Sequence, residues 1–173
     1  MDIMKKTVLA LILGIALLAA FGTEAKAQIP KEGTISCVTG FSGTAKILPM
    51  GQEDIGMTYE LMGAIISDTD ADPYHDTSFR CLGTLHAVKG EFNDDRGFCV
   101  SIRPDGDKIF WTFKGAGKVG PGGVNKGTFT IVGGTGKMTG IQGSTEYTVM
   151  GVRPAAEGTF QDYMRCKGWY KLP

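Results

Sequence analysis

The chain has 173 residues, and its 18 lysines and arginines balance 18 aspartates and glutamates, so the formal net charge is zero. The lack of a basic excess argues against nucleic acid as a partner, and a hydrophobic content of 42% argues against a mainly disordered chain. Glycine is enriched: 26 of the 173 residues, about 15%, are glycine, against about 7% in average proteins. This glycine content disfavours a helical bundle and favours many tight turns.

The first residues contain the three parts of a secretory signal peptide. Lys5 and Lys6 precede an uncharged apolar run over 8–21, and Ala-Lys-Ala at 25–27 provides a small-residue cleavage site. The run is shorter than the about 20 residues that span a bilayer, which disfavours the alternative of a retained membrane anchor. We therefore predict a signal helix over 1–27 and one mature domain, without a membrane segment, over 28–173. The predicted location is the periplasm or the cell exterior.

Taken in chain order, the mature sequence alternates polar and apolar residues between glycine-rich breaks and lacks an amphipathic helical pattern. The alternation predicts strands over 34–48, 57–67, 79–89, 98–102, 108–113, 128–131, 143–151 and 159–171. About eight strands with short links indicate a closed antiparallel barrel or a sandwich. Closure would remove the exposed edges that such strands otherwise present.

Three segments between these strands are predicted to be connections. The segment 103–107 (RPDGD) is the best hairpin turn, because Pro104 presets one turn residue and Gly106 accepts a positive φ. The segment 67–78 is polar and without pattern, which predicts a loop over one end of the strands. The segment 115–125 is rich in glycine and is predicted to be a flexible connection.

All four cysteines lie in the mature domain, and an even number in an exported chain is typical of two disulfides. Metal binding is the alternative, but there is no C-x2-C pair and there are only two histidines, so we predict neither a metal nor another cofactor. In a closed barrel the first and last strands are neighbours, which favours the pair Cys37–Cys166. The second pair is then Cys81–Cys99 in consecutive strands, although a turn centred on 93–95 would misalign it.

The segment 127–143 (GTFTIVGGTGKMTGIQG) resembles the strand–GGTGK–strand segment of the allene oxide cyclase and dirigent protein superfamily of β-barrels. A looser pattern extends over about 81–150, and its upstream part, with Cys-Leu-Gly, Gly-Phe-Cys and Asp-Gly-Asp-Lys, resembles small exported bacterial proteins of that kind. The signature is structural, because its glycines permit a sharp corner between two strands.

This resemblance implies a single eight-stranded antiparallel β-barrel with an apolar cavity. It also implies a homo-oligomer, since plant members are often trimers. Those plant members guide the cyclisation or coupling of reactive small molecules by shape. No site residue of the family transfers to this chain, because no second motif matches at their functional positions.

Other motifs have simpler interpretations. The segment 115–120 satisfies G-x-G-x-x-G, but Pro121 follows and no helix pattern begins, which argues against a dinucleotide site. His75 and Asp76 could form an oriented base, but a solvated surface pair is the better interpretation. The aspartates of 67–78 lack the glycine and terminal glutamate of an EF-hand loop, so we interpret them as a solvated acidic loop rather than a calcium site.

Candidate pocket residues combine strand aromatics with polar groups that could anchor a ligand. They are Tyr59, Glu60, His86, Arg103, Trp111 and Tyr147. His86 shares a strand face with Leu82, Thr84 and Val88, and the preferred alternative places it at the barrel mouth or surface. A barrel packed solid would use the same aromatics as core, and the sequence leaves both arrangements open.

The function expected from the sequence is an exported, disulfide-stapled β-barrel that binds a small apolar molecule in its interior. One alternative is a cyclase or isomerase that confines a reactive substrate, for which no catalytic motif is present. Another is a structural or partner-binding cell-envelope protein. An apolar pocket with one or two buried polar groups favours the first two functions, whereas a packed interior with an external apolar patch favours the third.

Overall fold

The computed structural model describes residues 29–173, and the predicted signal peptide lies outside the described residues. The described chain forms one closed barrel of eight antiparallel strands, in which each strand pairs with its neighbours in sequence and the last pairs with the first. The strands are β1 Glu32–Pro49, β2 Asp54–Ser67, β3 Thr77–Val88, β4 Glu91–Ile102, β5 Lys108–Lys118, β6 Val124–Gly134, β7 Gln142–Val152 and β8 Phe160–Lys171. The predicted all-β barrel is therefore confirmed. Within 29–173, no helix has the length and apolar character needed to cross a membrane.

The period of two along each strand sorts side chains between the interior and the outer surface. In β5, Ile109, Trp111 and Phe113 are buried, as their alternation predicts. In β4 the more apolar set faces outward: Phe98 is 72% exposed, whereas Ser101 is fully buried and accepts a hydrogen bond from the indole Nε1 of Trp111 at 3.0 Å. Hydrophobicity alone would therefore choose the wrong face of β4.

Two disulfides connect neighbouring strands at directly opposed positions. Cys37 of β1 bonds Cys166 of β8, and Cys81 of β3 bonds Cys99 of β4. These are the two pairings that closure favoured. The first bond joins residues that are 129 positions apart in the sequence. In the chain-entropy account, a loop of this length in the unfolded chain raises the free energy of unfolding by about 5 kcal/mol.

The register of the second disulfide depends on the turn between β3 and β4 and on one extra residue that β4 contains between this turn and the disulfide. Lys89 and Gly90 both have positive φ, 54° and 75°, as a two-residue turn with the hand of the strand twist requires. Residues 93–95 do not form this turn. They lie instead where the pairing of β4 with β5 shifts register between Phe92 and Asp95.

One end of the barrel is closed by its own loops. The loop over 68–76 covers this end, and Tyr74 packs edge-on against Trp111 with ring centroids 6.1 Å apart. Met138 and Ile141, from the connection between β6 and β7, are also fully buried there. The predicted loop over one end is thus present and acts as a plug.

The polar residues of this loop differ from the prediction in one respect. Asp72 is buried, and its carboxylate accepts hydrogen bonds from the backbone N–H groups of Tyr74 and Ser36, so it is not part of a solvated acidic loop. His75 Nε2 lies 3.5 Å from Asp70 and 3.4 Å from the carboxylate that follows it in sequence. The buried carboxylate of Asp72 therefore stabilises the fold of the plug.

The glycine-rich segment 127–143 makes the corner at the same end. A Cβ atom on Gly134 would lie 2.6 Å from the carbonyl oxygen of Met138, and Gly136 has a φ of 55°. The segment 115–125, by contrast, is mostly strand, because β5 continues to Lys118 and β6 begins at Val124. The predicted flexible connection is wrong except for 119–123.

Candidate functional site

The end of the barrel opposite the plug contains a cavity of about 520 Å³ that opens between the loops 119–123 and 153–159. This volume lies within the range of small-molecule sites, about 300–1,000 Å³. The wall is mainly apolar and aromatic, with Phe41, Tyr59, Phe79, Trp111, Phe113, Phe129, Tyr147 and Phe160 among its side chains. Because the plug fills the other end, the cavity is blind.

Asp95 projects into this cavity because of an irregularity in β4. Phe92 and Asp95 both face the interior although they are three residues apart, since the pairing of β4 with β5 shifts register between them. The side chain is only 8% exposed, and its Oδ1 accepts a hydrogen bond of 2.7 Å from the hydroxyl of Tyr59. Burial raises the pKa of Asp95 to about 6, with a smaller contribution from the charge of Asp94, while the Tyr59 hydrogen bond opposes the rise.

A glycine allows Tyr59 to reach Asp95 across an intervening strand. Tyr59 of β2 is paired with Gly83 of β3, and a Cβ atom on Gly83 would lie 2.3 Å from the tyrosine ring. The ring therefore lies over the backbone of β3, and its hydroxyl contacts a carboxyl on β4. Burial, and then the negative charge of Asp95, raise the pKa of Tyr59 far above its ordinary value, so it is a neutral donor.

Tyr147 approaches the same carboxyl from the other side. It is paired with Gly127 of β6, which is paired with Gly115 of β5, which in turn is paired with Asp95. A Cβ atom on either glycine would lie 2.3 Å from the tyrosine hydroxyl. Burial, followed by the charge of Asp95, raises the pKa of Tyr147 as well. The glycines inside the strands thus make room for two tyrosines that converge on one carboxyl.

A second carboxyl, that of Asp162, also lines the cavity. It lies on β8 with the same alternation as the buried Met164 and Cys166. Burial raises the pKa of Asp162 to about 6, and no hydrogen bond or opposite charge from residues 29–173 offsets this effect. The charge of Asp162 in turn contributes to the raised pKa of Tyr59, which places the two side chains near each other.

The only basic side chain that lines the cavity within the described range is Lys118, at the mouth. Its ammonium group lies 2.9 Å from the carboxylate of Glu91, and both side chains are 65% exposed. It therefore belongs to the solvated rim and is already paired. The interior combines aromatic walls with two carboxyls that have no basic partner among residues 29–173.

Three of the six predicted pocket residues line this cavity. They are Tyr59, Trp111 and Tyr147. Each lies at an inward position of its strand, where the alternation places the larger apolar side chains.

The three polar anchors predicted from the sequence do not reach the cavity. Glu60 lies on the outer face of β2 and accepts a hydrogen bond of 2.5 Å from the Nε of Arg80. His86 lies on the outer face of β3, 55% exposed, with its Nε2 2.5 Å from Asp54 Oδ1. Arg103 lies at the plugged end, where its guanidinium donates to the carbonyl of Pro73. The first two follow inward residues in their strands, so the alternation turns them outward.

The two carboxyls that do line the cavity were missed in the sequence. Asp162 had a usable signal, because it lies four residues before Cys166, whose disulfide fixes which positions of β8 face inward. Asp95 had none, since one extra residue in an irregular strand reverses the alternation without a clear mark in the sequence.

No family model matches the chain, and neither the curated proteins nor the solved structures gave a match. The resemblance of 127–143 to the allene oxide cyclase and dirigent barrels therefore depends on those residues themselves.

Proposed function

We propose that this protein is an exported barrel that binds a small apolar molecule in the cavity at its open end. The proposal is carried by one observation, the blind, aromatic cavity of about 520 Å³. Side chains can fill the interior of an eight-stranded barrel, but here they leave space for one small ligand at the open end. An apolar ligand that enters such a preformed space gains about 0.8 kcal/mol for each CH₂ group removed from water.

Export is supported by two features that are independent of the cavity. The sequence begins with the pattern of a signal peptide. The two disulfides are typical of an oxidising compartment, such as the periplasm or the cell exterior. A ligand met there would come from the cell envelope or the surroundings.

A cyclase or isomerase is the second candidate, and one observation favours it. The carboxyl of Asp95 has a pKa raised to about 6 and accepts a hydrogen bond from Tyr59 inside an apolar space. A carboxyl in that range can exchange a proton with a confined substrate near neutral pH. This function is consistent with the resemblance to the allene oxide cyclase and dirigent superfamily, and turnover of a trial substrate would distinguish it from binding alone.

The outer surface supports contacts with another protein as a further proposal. Leu82 and Phe98 are paired across β3 and β4, and both are exposed. This apolar pair fits the expected homo-oligomer, and the subunit number measured in solution would test it.

The binding proposal can be tested by filling the cavity with a tryptophan. Ala45 lines the cavity, and Ala64 is exposed on the outer face, so Ala45→Trp and Ala64→Trp form a matched pair. The probe is the neutral fluorophore N-phenyl-1-naphthylamine, whose emission rises in an apolar site. We expect Ala45→Trp to weaken probe binding by at least about tenfold, or about 1.4 kcal/mol, and Ala64→Trp to leave it unchanged.

Melting curves and the absence of free thiols would verify that both variants are folded and oxidised. A folded Ala45→Trp protein that binds the probe as tightly as the unaltered protein would refute the proposal, because the binding would then lie outside the barrel.

A further inference from the structure

The electrostatic character of the cavity is unusual for a site that binds a purely apolar molecule. Asp95 and Asp162 both line it, and the only hydrogen bond to either carboxyl from a side chain of 29–173 is the one from Tyr59. The one basic residue among the described residues of the wall, Lys118, is paired with Glu91 at the mouth. The described interior therefore holds up to two negative charges without a positive one.

We propose that the ligand of this cavity is an apolar amine, whose protonated nitrogen is neutralised by the carboxyls of Asp95 and Asp162 and whose hydrocarbon body fills the aromatic part. The inference rests on the proposed binding function and specifies the chemical class of the ligand.

The desolvation of the carboxyls favours a cation over a neutral ligand. In the free protein burial has already removed most of the water from Asp95 and part of it from the half-buried Asp162, and this is the main reason that the pKa of each is raised to about 6. A bound ammonium group therefore forms a charge-assisted hydrogen bond with a carboxylate, and the carboxylate loses little further hydration when the ligand binds. Hydrogen bonds to charged groups contribute about 1.5–3 kcal/mol, or roughly tenfold to a hundredfold in affinity.

The aromatic walls favour the same class of ligand. The rings of Tyr59 and Phe160 meet edge to face at 5.9 Å, and Phe160 is two residues from Asp162 on β8. A cation beside these carboxyls would lie close to aromatic rings, and such contacts strengthen binding by roughly twofold to thirtyfold. An anionic ligand would meet two carboxylates and no free basic group of 29–173, so the cavity disfavours it.

The pH dependence follows from the groups that face the two carboxyls. These are the neutral hydroxyls of Tyr59 on β2 and Tyr147 on β7; the carboxylate of Asp94, which adjoins Asp95 in β4, is exposed on the outer face and adds only its charge. Neither tyrosine changes its charge near neutral pH, because the pKa of each is raised above its ordinary value. An alkyl amine remains protonated below about pH 9, as lysine does. Amine affinity should therefore fall below about pH 6, as the carboxyls become protonated.

The test compares three probes of nearly the same shape: 1-naphthylmethylamine, 1-naphthalenemethanol and 1-naphthoic acid. Binding is measured by calorimetry at pH 7.5 and pH 5.0 on the oxidised protein. We expect the amine to bind at least about tenfold more tightly than the alcohol at pH 7.5, the acid to bind most weakly, and the preference for the amine to shrink at pH 5.0.

The variant Asp95→Asn/Asp162→Asn should lose at least about tenfold in amine affinity while its alcohol affinity changes by less than about threefold. Asp54→Asn is the matched control, because this carboxylate lies outside the cavity beside His86. Equal binding of the amine and the alcohol, or an amine affinity that survives the double substitution, would overturn the inference and leave the binding function intact. If none of the three probes binds, the binding function itself fails.

Discussion

Replacing Asp95 by asparagine should stabilise the protein at neutral and alkaline pH. The asparagine side chain has nearly the same shape, and its Oδ1 can still accept the hydrogen bond from the hydroxyl of Tyr59. What the substitution removes is a charge that burial disfavours, since the side chain of Asp95 is only 8% exposed.

The magnitude follows from the raised pKa of Asp95. Burial is the first cause of the rise from the ordinary value of 3.8 to about 6, and one pKa unit corresponds to about 1.4 kcal/mol. The native state therefore binds more protons than the unfolded chain between about pH 4 and 6, so stability falls as the pH rises through this interval. Above about pH 6 the full cost of about 3 kcal/mol is present, and Asp95→Asn should be more stable by up to this amount.

The assay is urea unfolding of both proteins at pH 4.0, 5.0, 6.0 and 8.0 with the disulfides intact. We expect the two free energies of unfolding to be similar at pH 4.0 and to separate as the pH rises, with the asparagine variant the more stable. Asp162 contributes the same trend to both proteins, so it cancels in the difference. A difference that does not change with pH, or an asparagine variant that is less stable at pH 8.0, would refute the reasoning.

Three further predictions concern the cavity wall, the outer face and the closure of the barrel. Gly83→Ala should weaken probe binding and lower the free energy of unfolding by about 1–3 kcal/mol, since its Cβ would collide with a cavity tyrosine. Gly40→Ala is the control, because a Cβ atom on Gly40 would meet only open space. Equal losses of stability in both variants would contradict the packing. His86→Ala should leave probe affinity unchanged in a fluorescence titration, and a loss would place this residue in the site after all. Replacing the Cys37–Cys166 pair by serines should lower the free energy of unfolding by about 5 kcal/mol in urea; a loss below about 1 kcal/mol would mean that closure does not depend on it.

The architecture could be predicted because each strand carries a signal of its own. The alternation around Trp111 in β5 and the turn at Gly106, whose φ is 86°, are local features that the structure retains. The pair Cys37–Cys166 followed from closure and did not itself indicate closure, because the two cysteines can be opposed only if the first and last strands are neighbours. The local pattern was therefore sufficient for the all-β class, and the choice of a closed barrel over a sandwich came from the resemblance carried by 127–143.

The site could be predicted only in part, because it depends on departures from the regular strand. The shift of register before Asp95 changes which residues face inward, and nothing in its neighbours marks the change. Gly115 was predicted to lie in a flexible connection, and Gly83 was predicted to lie in a strand without any role in packing, whereas both lie in strands and make room for tyrosine side chains from other strands. Such contacts join residues distant in sequence, and a local pattern does not record them.

Native mass spectrometry of protein purified from its own host would show whether the open end of the barrel holds a ligand. We expect the unaltered protein to have a mass above that of the oxidised chain, and this added mass to be lost in Ala45→Trp, whose side chain would fill the cavity. An added mass that persists in a folded Ala45→Trp protein would contradict the account, because the bound molecule would then lie elsewhere. An unaltered protein that carries no added mass and takes up none of the naphthyl probes would contradict it as well.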